Sequence, residues 1–259
     1  MADRTKGAGG YRGVSHHKFV VEERYLTAAA RKRLYWIATV LMMLGCVLFF
    51  LTLDDVLGRS GLAGGDDSMQ SWFLSQRSDV LTTIMIVLAV VFGPVVLPIV
   101  VLVVTVAWGI LAKHAWRPML LAAAMLTGVI LAQIIGHAVG RIRPPVEQML
   151  FGPDSTFSFP SGHVLGASDF LLVTTFLVFS RRKNPWAAVL AFAIAAIGIF
   201  FATVSRIYLG YHWVSDGLAS VFLSLVILGA VVAVDTWRTA RIPGEKITGE
   251  LSKADTSPE

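Results

Sequence analysis

Charge is what this chain has least of. Only 15% of its 259 residues are charged, against 55% hydrophobic, and the mean hydropathy is +0.69. A soluble domain of this length needs far more charge to cover its surface, so a water-soluble fold is excluded before any motif is read. Polar interruptions are equally scarce. The apolar residues come in long runs rather than at helical or strand spacing, which is how bilayer-spanning helices read. There is a single cysteine, Cys46, inside the first apolar run. It excludes an internal disulfide and reads as a small buried hydrophobe. No internal repeat is present.

Residues 1–33 are polar and basic, with Gly7, Gly9 and Gly10 near the start, and read as a flexible tail. The first apolar run, 34–53, follows too long a lead for a signal peptide and reads as a retained anchor. A polar loop over 54–79 carries Asp54, Asp55, Asp66, Asp67 and Asp79. The run 80–112 is too long for one upright helix, since ~33 residues at ~1.5 Å each exceed a ~30 Å hydrocarbon core. Pro94 and Pro98 offer kinks. An interfacial or outward-facing part around 70–87, then one span ending near Lys113, is expected. Further runs cover 119–140, 164–180, 186–204 and 213–235, and a charged tail, 236–259, reads as disordered. The expected fold is all-α: an integral membrane bundle of six transmembrane helices over 34–235, flanked by two tails.

The sign of the loop charges sets the orientation. Alternating the loops around six spans places 17 of the 22 Lys and Arg residues on one face, with 1–33, 113–118, 181–185 and 236–259. The other face keeps only Arg59, Arg77, Arg141, Arg143 and Arg206. The basic face, with both termini, is expected in the cytoplasm of a multi-pass cell-membrane protein. Trp36, Trp108, Trp116, Trp186 and Trp237 then fall at inner boundaries, and Trp72 and Trp213 at outer ones, as an aromatic belt requires. The net charge of +5 is a topology signal and not a nucleic-acid footprint. The partners it implies are membrane lipids; oligomeric state is not legible.

Three segments on the outer face stand out: Gly140 to Pro144, Pro160 to His163, and Ser205-Arg206 through His212 to Asp216. Charge at a membrane boundary is costly, so such groups pair or act. His212 and Asp216 are four apart and share a face if helical. A carboxylate accepting from Nδ1–H would fix the tautomer and leave Nε2 free to attack. His163 follows a Pro-Ser-Gly turn that can open a helix, whose backbone N–H groups bind anions. Arg143 and Arg206 are planar, permanently charged forks suited to phosphate. Two histidines, two arginines and a helix N-terminus describe phosphoryl transfer that calls for no metal and no cofactor.

These segments resemble the signature of the type 2 phosphatidic acid phosphatase superfamily, which includes lipid phosphate phosphatases and the vanadium haloperoxidases. The pattern is Lys-x6-Arg-Pro, Pro-Ser-Gly-His and Ser-Arg-x5-His-x3-Asp. Arg143-Pro144, then Pro160 to His163, then Ser205, Arg206, His212 and Asp216 match it in order. The resemblance covers roughly 35–235. It implies His212 as a nucleophile forming a phosphohistidine, Asp216 orienting it, and His163 as general acid and later base. Arg143, Arg206, Ser161 and the Gly162 backbone form the implied phosphate cradle, with Ser205 beside them. The implied substrate is a lipid phosphomonoester or diphosphate: polyprenyl diphosphate or phosphate, phosphatidic acid or phosphatidylglycerol phosphate. An outward-facing site favours a polyprenyl lipid. A lipid phosphotransferase, or a non-catalytic lipid-phosphate binding or transport protein on the same scaffold, remains open as an alternative.

One position departs from the pattern: Gly136 stands where the first lysine belongs. Arg141 is expected to compensate as a further phosphate ligand. Ser205 can instead hydrogen-bond locally. Tyr208, Tyr211 and Trp213 read as interface anchors. Asp169, about 9 Å below His163 by helical rise, needs a partner in the membrane, and a brace to His137 is expected. His16, His17 and His114 have no evident role.

Overall fold

The computed structural model describes residues 21–112, 115–182, 184–247 and 252–255. Expectations for residues 1–20, for His114 and for 256–259 therefore lie outside the described residues.

The first span, α1 (Ala28–Gly58), is longer than its apolar run, because Thr27 caps it by accepting from the Ala30 N–H at 3.1 Å. The acidic segment expected as a loop is instead helical, with α2 (Gly61–Gly64) and α3 (Asp66–Ser75). Asp66 and Asp67 occupy the first turn of α3, where carboxylates favour the helix dipole. Next come α4 (Asp79–Val91) and α5 (Val96–Ala112), bent by 48° at residues 92–95. The bend contains Gly93 and Pro94, whereas Pro98 sits in the first turn of α5, where its missing N–H costs nothing. The expected interfacial stretch around 70–87 is thus two helices broken at 76–78.

α6 (Trp116–Val139) ends on Gly140, whose φ of 63° makes the left-handed cap. α7 (Gly162–Phe179) is capped by Ser161, and α8 (Pro185–Tyr208) by Asn184 with proline at its first position. α9 (Val214–Thr239) completes the bundle. Five helices (α1, α6, α7, α8 and α9) are each long and apolar enough to cross a membrane, and the bent α4–α5 pair makes a sixth crossing if counted as one.

α7 and α9 form the centre, each 56% buried along its apolar window, whereas α8 is only 17% buried and turns most of its apolar surface outward. Broad exposure of Leu, Ile, Val and Phe is the lipid-facing surface of a membrane bundle. α1 lies against α9 through small residues on both sides. A Cβ on Gly45 would come within 2.6 Å of the Phe222 carbonyl, and one on Gly229 within 2.7 Å of the Ala38 carbonyl. Such close backbone approach is the usual basis of helix association in lipid.

The all-α expectation needs one amendment, and so does the disordered 236–259 tail. β1 (Val21–Tyr25) pairs in parallel with β2 (Ala240–Arg241) and β3 (Ser252–Asp255), in the order β2-β1-β3. Glu23 on β1 is 1% exposed and binds Arg238 at 2.8 Å and Arg241 at 2.7 Å. Arg31 and Glu245 add a pair at 2.8 Å. The sheet joins the segment before α1 to the segments after α9 at one end of the bundle.

The expected Asp169–His137 brace does not form. Asp169 points at Gly128, more than two turns from His137 along α6. His137 Nδ1 instead meets the Gln133 carbonyl at 2.7 Å, and its ring packs edge-on against Phe157. Similar depth did not mean the same helix face.

Candidate active site

At the end opposite the small sheet, three connections converge: residues 140–161, 209–213 and the α4–α5 bend. Their positions follow from local hydrogen bonding. Arg77, ahead of α4, donates to the Tyr208 carbonyl at 2.9 Å and the Gln148 carbonyl at 2.7 Å, closing the C-terminus of α8. The Tyr208 hydroxyl accepts from the Ser78 N–H at 2.9 Å, and the Tyr211 hydroxyl donates to the Gly152 carbonyl at 2.5 Å. Tyr208 and Tyr211 are therefore buried fasteners and not interface anchors. Trp213 donates its indole N–H to the Ile142 carbonyl at 3.0 Å.

His212 is 1% exposed. Its Nδ1 lies 2.8 Å from the Ser158 carbonyl and 3.6 Å from Asp216 Oδ2, so the orienting acceptor is a backbone oxygen and the carboxylate stands behind it. The carboxylate expected to accept from Nδ1–H is thus the more distant of the two oxygens. Nε2 faces Arg143 Nη1 at 2.9 Å. A guanidinium can only donate and a carbonyl can only accept, so the partners assign the proton to Nδ1 and the lone pair to Nε2. Burial pushes His212 down to about 4; the Asp216 carboxylate opposes this, and Arg143 and Arg206 reinforce it.

Arg143 is itself held in place. It donates to the Tyr211 carbonyl at 2.7 Å, the Thr156 carbonyl at 2.9 Å and the Thr156 hydroxyl at 2.8 Å, and pairs with Asp154 at 3.1 Å. Burial raises the Asp154 carboxyl, but bonds from Thr156 and the charge of Arg143 outweigh it and leave it below its usual range. Arg206 is 4% exposed and stacks over the Tyr211 ring at 4.2 Å. Among the described residues no carboxylate pairs with it, and its buried Nε has no hydrogen-bond partner. A buried guanidinium in this state is set for an anion.

His163, second residue of α7, lies close enough to Arg206, His212 and Arg143 for their charges to bear on it. Its Nε2 faces the bend, 3.6 Å from where a Cβ on Gly93 would stand. Gly162 is exposed, with nothing within 4 Å of a Cβ placed there, so the backbone at the start of α7 is open to a ligand. Ser161 is buried and caps α7, its N–H donating to the Asp216 carbonyl at 3.4 Å.

Two expected phosphate ligands have other partners. The Ser205 hydroxyl, 1% exposed, donates to the Ala202 carbonyl at 2.9 Å within its own helix. Arg141 bridges Asp216 at 2.5 Å and Asp66 at 2.7 Å, and also donates to the Ser215 hydroxyl at 2.7 Å. It braces the carboxylate behind His212. A Cβ on Gly136 would face the Phe159 carbonyl at 3.5 Å. Ser158, Asp66, Asp154 and Thr156 join the site without a motif to mark them. Ser158 acts chiefly through a main-chain carbonyl, and Asp66 through a fold contact 149 positions distant in sequence.

Residues 117–240 match the family model described as PAP2 superfamily. The phosphatidylglycerophosphatase B of Bacillus subtilis (strain 168) is 25% identical over 195 residues, spanning 73% of this chain and 92% of that protein. The phosphatidylglycerophosphatase B of Escherichia coli (strain K12) is 35% identical over 91 residues, 35% of this chain and 32% of that protein. The crystal structure of a transmembrane PAP2 type phosphatidylglycerolphosphate phosphatase from Bacillus subtilis has the same fold. It matches with a TM-score of 0.66 at 23% identity, over 75% of this chain and 96% of that one. The matched segment runs from α6 to α9, holds His163, His212, Asp216, Arg143 and Arg206, and is what this chain has in common with the PAP2 superfamily.

Proposed function

We propose that this protein is a membrane lipid phosphatase that cleaves a phosphomonoester through a phosphohistidine on His212. The observation that carries the reading is the arrangement at His212: Nδ1 tied to the Ser158 carbonyl and Nε2 presenting its lone pair beside the Arg143 guanidinium. A neutral imidazole fixed in this tautomer is a nucleophile already oriented. Substrate phosphate occupies the space between Arg143 and Arg206, drawing Arg143 off Nε2 and supplying the acceptor that Arg206 Nε lacks. The open backbone at Gly162 and His163 adds N–H donors at the start of α7.

Nε2 then attacks phosphorus in line, the ester P–O bond breaks, and His163 gives its proton to the leaving oxygen. The positive charge that develops on the His212 ring lies 3.6 Å from Asp216. In the second half His163 takes a proton from water, the hydroxide displaces His212 from phosphorus, and inorganic phosphate leaves. The lipid tail stays between the helices and the bilayer.

The relatives named for phosphatidylglycerophosphate move the favoured substrate from a polyprenyl lipid to phosphatidylglycerol phosphate. Loop charge favours a cytoplasmic sheet end and an active site at the outer face of the cell membrane. The test is a panel of phosphatidylglycerol phosphate, phosphatidic acid and polyprenyl diphosphate in mixed micelles, assayed for phosphate release with no added acceptor. Wild type should release phosphate and form an acid-labile phosphoenzyme, and His212→Ala should do neither. Release by His212→Ala would defeat the reading, and transfer only to an added alcohol would make the protein a phosphotransferase.

A further inference from the structure

Asp66 lies in the segment before the fourth helix, outside every motif segment and outside residues 117–240, yet it is 3% exposed and fully engaged. Its Oδ1 accepts from the Ser215 N–H at 3.1 Å, and its Oδ2 accepts from the Ser215 hydroxyl at 2.5 Å and from Arg141 Nη2 at 2.7 Å. The second nitrogen of the same guanidinium holds Asp216 Oδ1 at 2.5 Å. Ser215 is the second residue of α9, whose N–H has no partner within its own helix. Asp66 therefore caps α9 from outside and shares one arginine with the carboxylate behind His212.

We propose that Asp66 is a positioning residue for the phosphatase reaction, holding Arg141 and the first turn of α9 so that Asp216 keeps its charge on His212. The inference rests on the function proposed above. The physical argument is a balance of charge. Arg141 lies between two carboxylates, so its pull on Asp216 is divided. Without the charge of Asp66, Arg141 acts on Asp216 alone, and the carboxylate offers less to the cation forming on His212. The net charge around the ring also becomes more positive. Arg143 and Arg206 already face His212 from the 140–161 connection and α8, His163 from α7, and Asp216 and Asp154 oppose them. Phosphate binding involves Arg143 and Arg206, neither of which touches Asp66.

The test compares Asp66→Asn and Ser215→Ala with wild type in purified protein, measuring kcat, KM and the acid limb of kcat/KM, with monodispersity in detergent as the check of folding. The expected result for Asp66→Asn is a fall in kcat of roughly tenfold, the size of one coupling in a shared network. KM should stay within about twofold, and the acid limb should move to lower pH because a more positive surrounding disfavours the imidazolium. In an Arg141→Gln background, Asp66→Asn should add less than about twofold, because the two act in series. A wild-type kcat and acid limb, a change confined to KM, or a loss that multiplies with that of Arg141→Gln would each overturn the proposal. So would loss of folded protein in both Asp66→Asn and Ser215→Ala, which would make the contact structural only. If His212→Ala still releases phosphate, the proposed function fails, and that outcome is separate from all of these.

Discussion

The imidazole of His212 is tied by Nδ1 to the main-chain carbonyl of Ser158 at 2.8 Å, closer than to any carboxylate. The orientation of the ring therefore depends on the path of the 140–161 connection, while Asp216 supplies charge. Asp216 also accepts from the Ser158 hydroxyl and from the Trp213 N–H. One residue thus contributes its backbone to the histidine and its side chain to the acid.

This division of labour can be separated by mutation. Ser158→Ala keeps the carbonyl and removes only the hydroxyl, so kcat should fall within about fivefold, the cost of one hydrogen bond. Asp216→Asn removes the charge from behind His212 and leaves Arg141 with one carboxylate, and kcat should fall by about 100-fold or more. Steady-state phosphate release by the two variants checks both; equal losses would mean that the hydroxyl, and not the charge, matters.

The pH dependence has a definite sign. In the proposed reaction His212 must be neutral to attack, and burial places it at about 4 against 6.5 in its ordinary state. Activity attributable to His212 is then complete above about pH 5 and lost as pH falls through about 4. Between about pH 4 and 6.5 the unfolded chain binds a proton that the folded one refuses, so this group makes stability rise with pH over that window. A kcat/KM profile from pH 3 to 8 checks the first statement, and unfolding midpoints at pH 4.5 and 6.5 check the second.

Arg206 is a buried cation of the site with an unsatisfied Nε, so its variants should be sensitive to a bound anion. Arg206→Lys keeps the charge but loses the fork and the stacking on Tyr211. A drop in kcat/KM of about 100-fold is expected, with weaker inhibition by orthovanadate, a mimic of pentacoordinate phosphorus. Unchanged vanadate inhibition would place the phosphate elsewhere.

What was legible in the sequence follows the range of the interactions. The spans are written as apolar runs, and α1, α6, α7, α8 and α9 lie where those runs predicted. His163, Arg143, Arg206, His212 and Asp216 carry their chemistry in residue type and spacing, and the fold brings them to one end of the bundle. The Ser158 carbonyl is hidden because every residue has one. Asp66 is hidden because its role depends on α3 packing near the start of α9, which no local pattern encodes. Arg141 has the charge of a phosphate ligand, and its two carboxylate partners are visible only in the fold. The small sheet has no local signature because its strands pair across more than 200 residues of sequence.

Glu23 makes the sheet end testable apart from catalysis. It is 1% exposed, and its two oxygens take Arg238 at 2.8 Å and Arg241 at 2.7 Å, tying the segment before α1 to the end of α9. Removing one member of a buried ionic cluster leaves the others without compensation. The two arginines are partly exposed, so the cost of Glu23→Gln falls at the low end of the usual range, about 3 kcal/mol. For a chain of this length that lowers Tm by about 6–12 °C. The site lies at the opposite end of the bundle, so kcat of the folded fraction should stay within about twofold of wild type. Thermal unfolding in detergent and activity at low temperature measure the two effects separately. A kcat that fell with Tm would show that the sheet end and the histidines are coupled through α9.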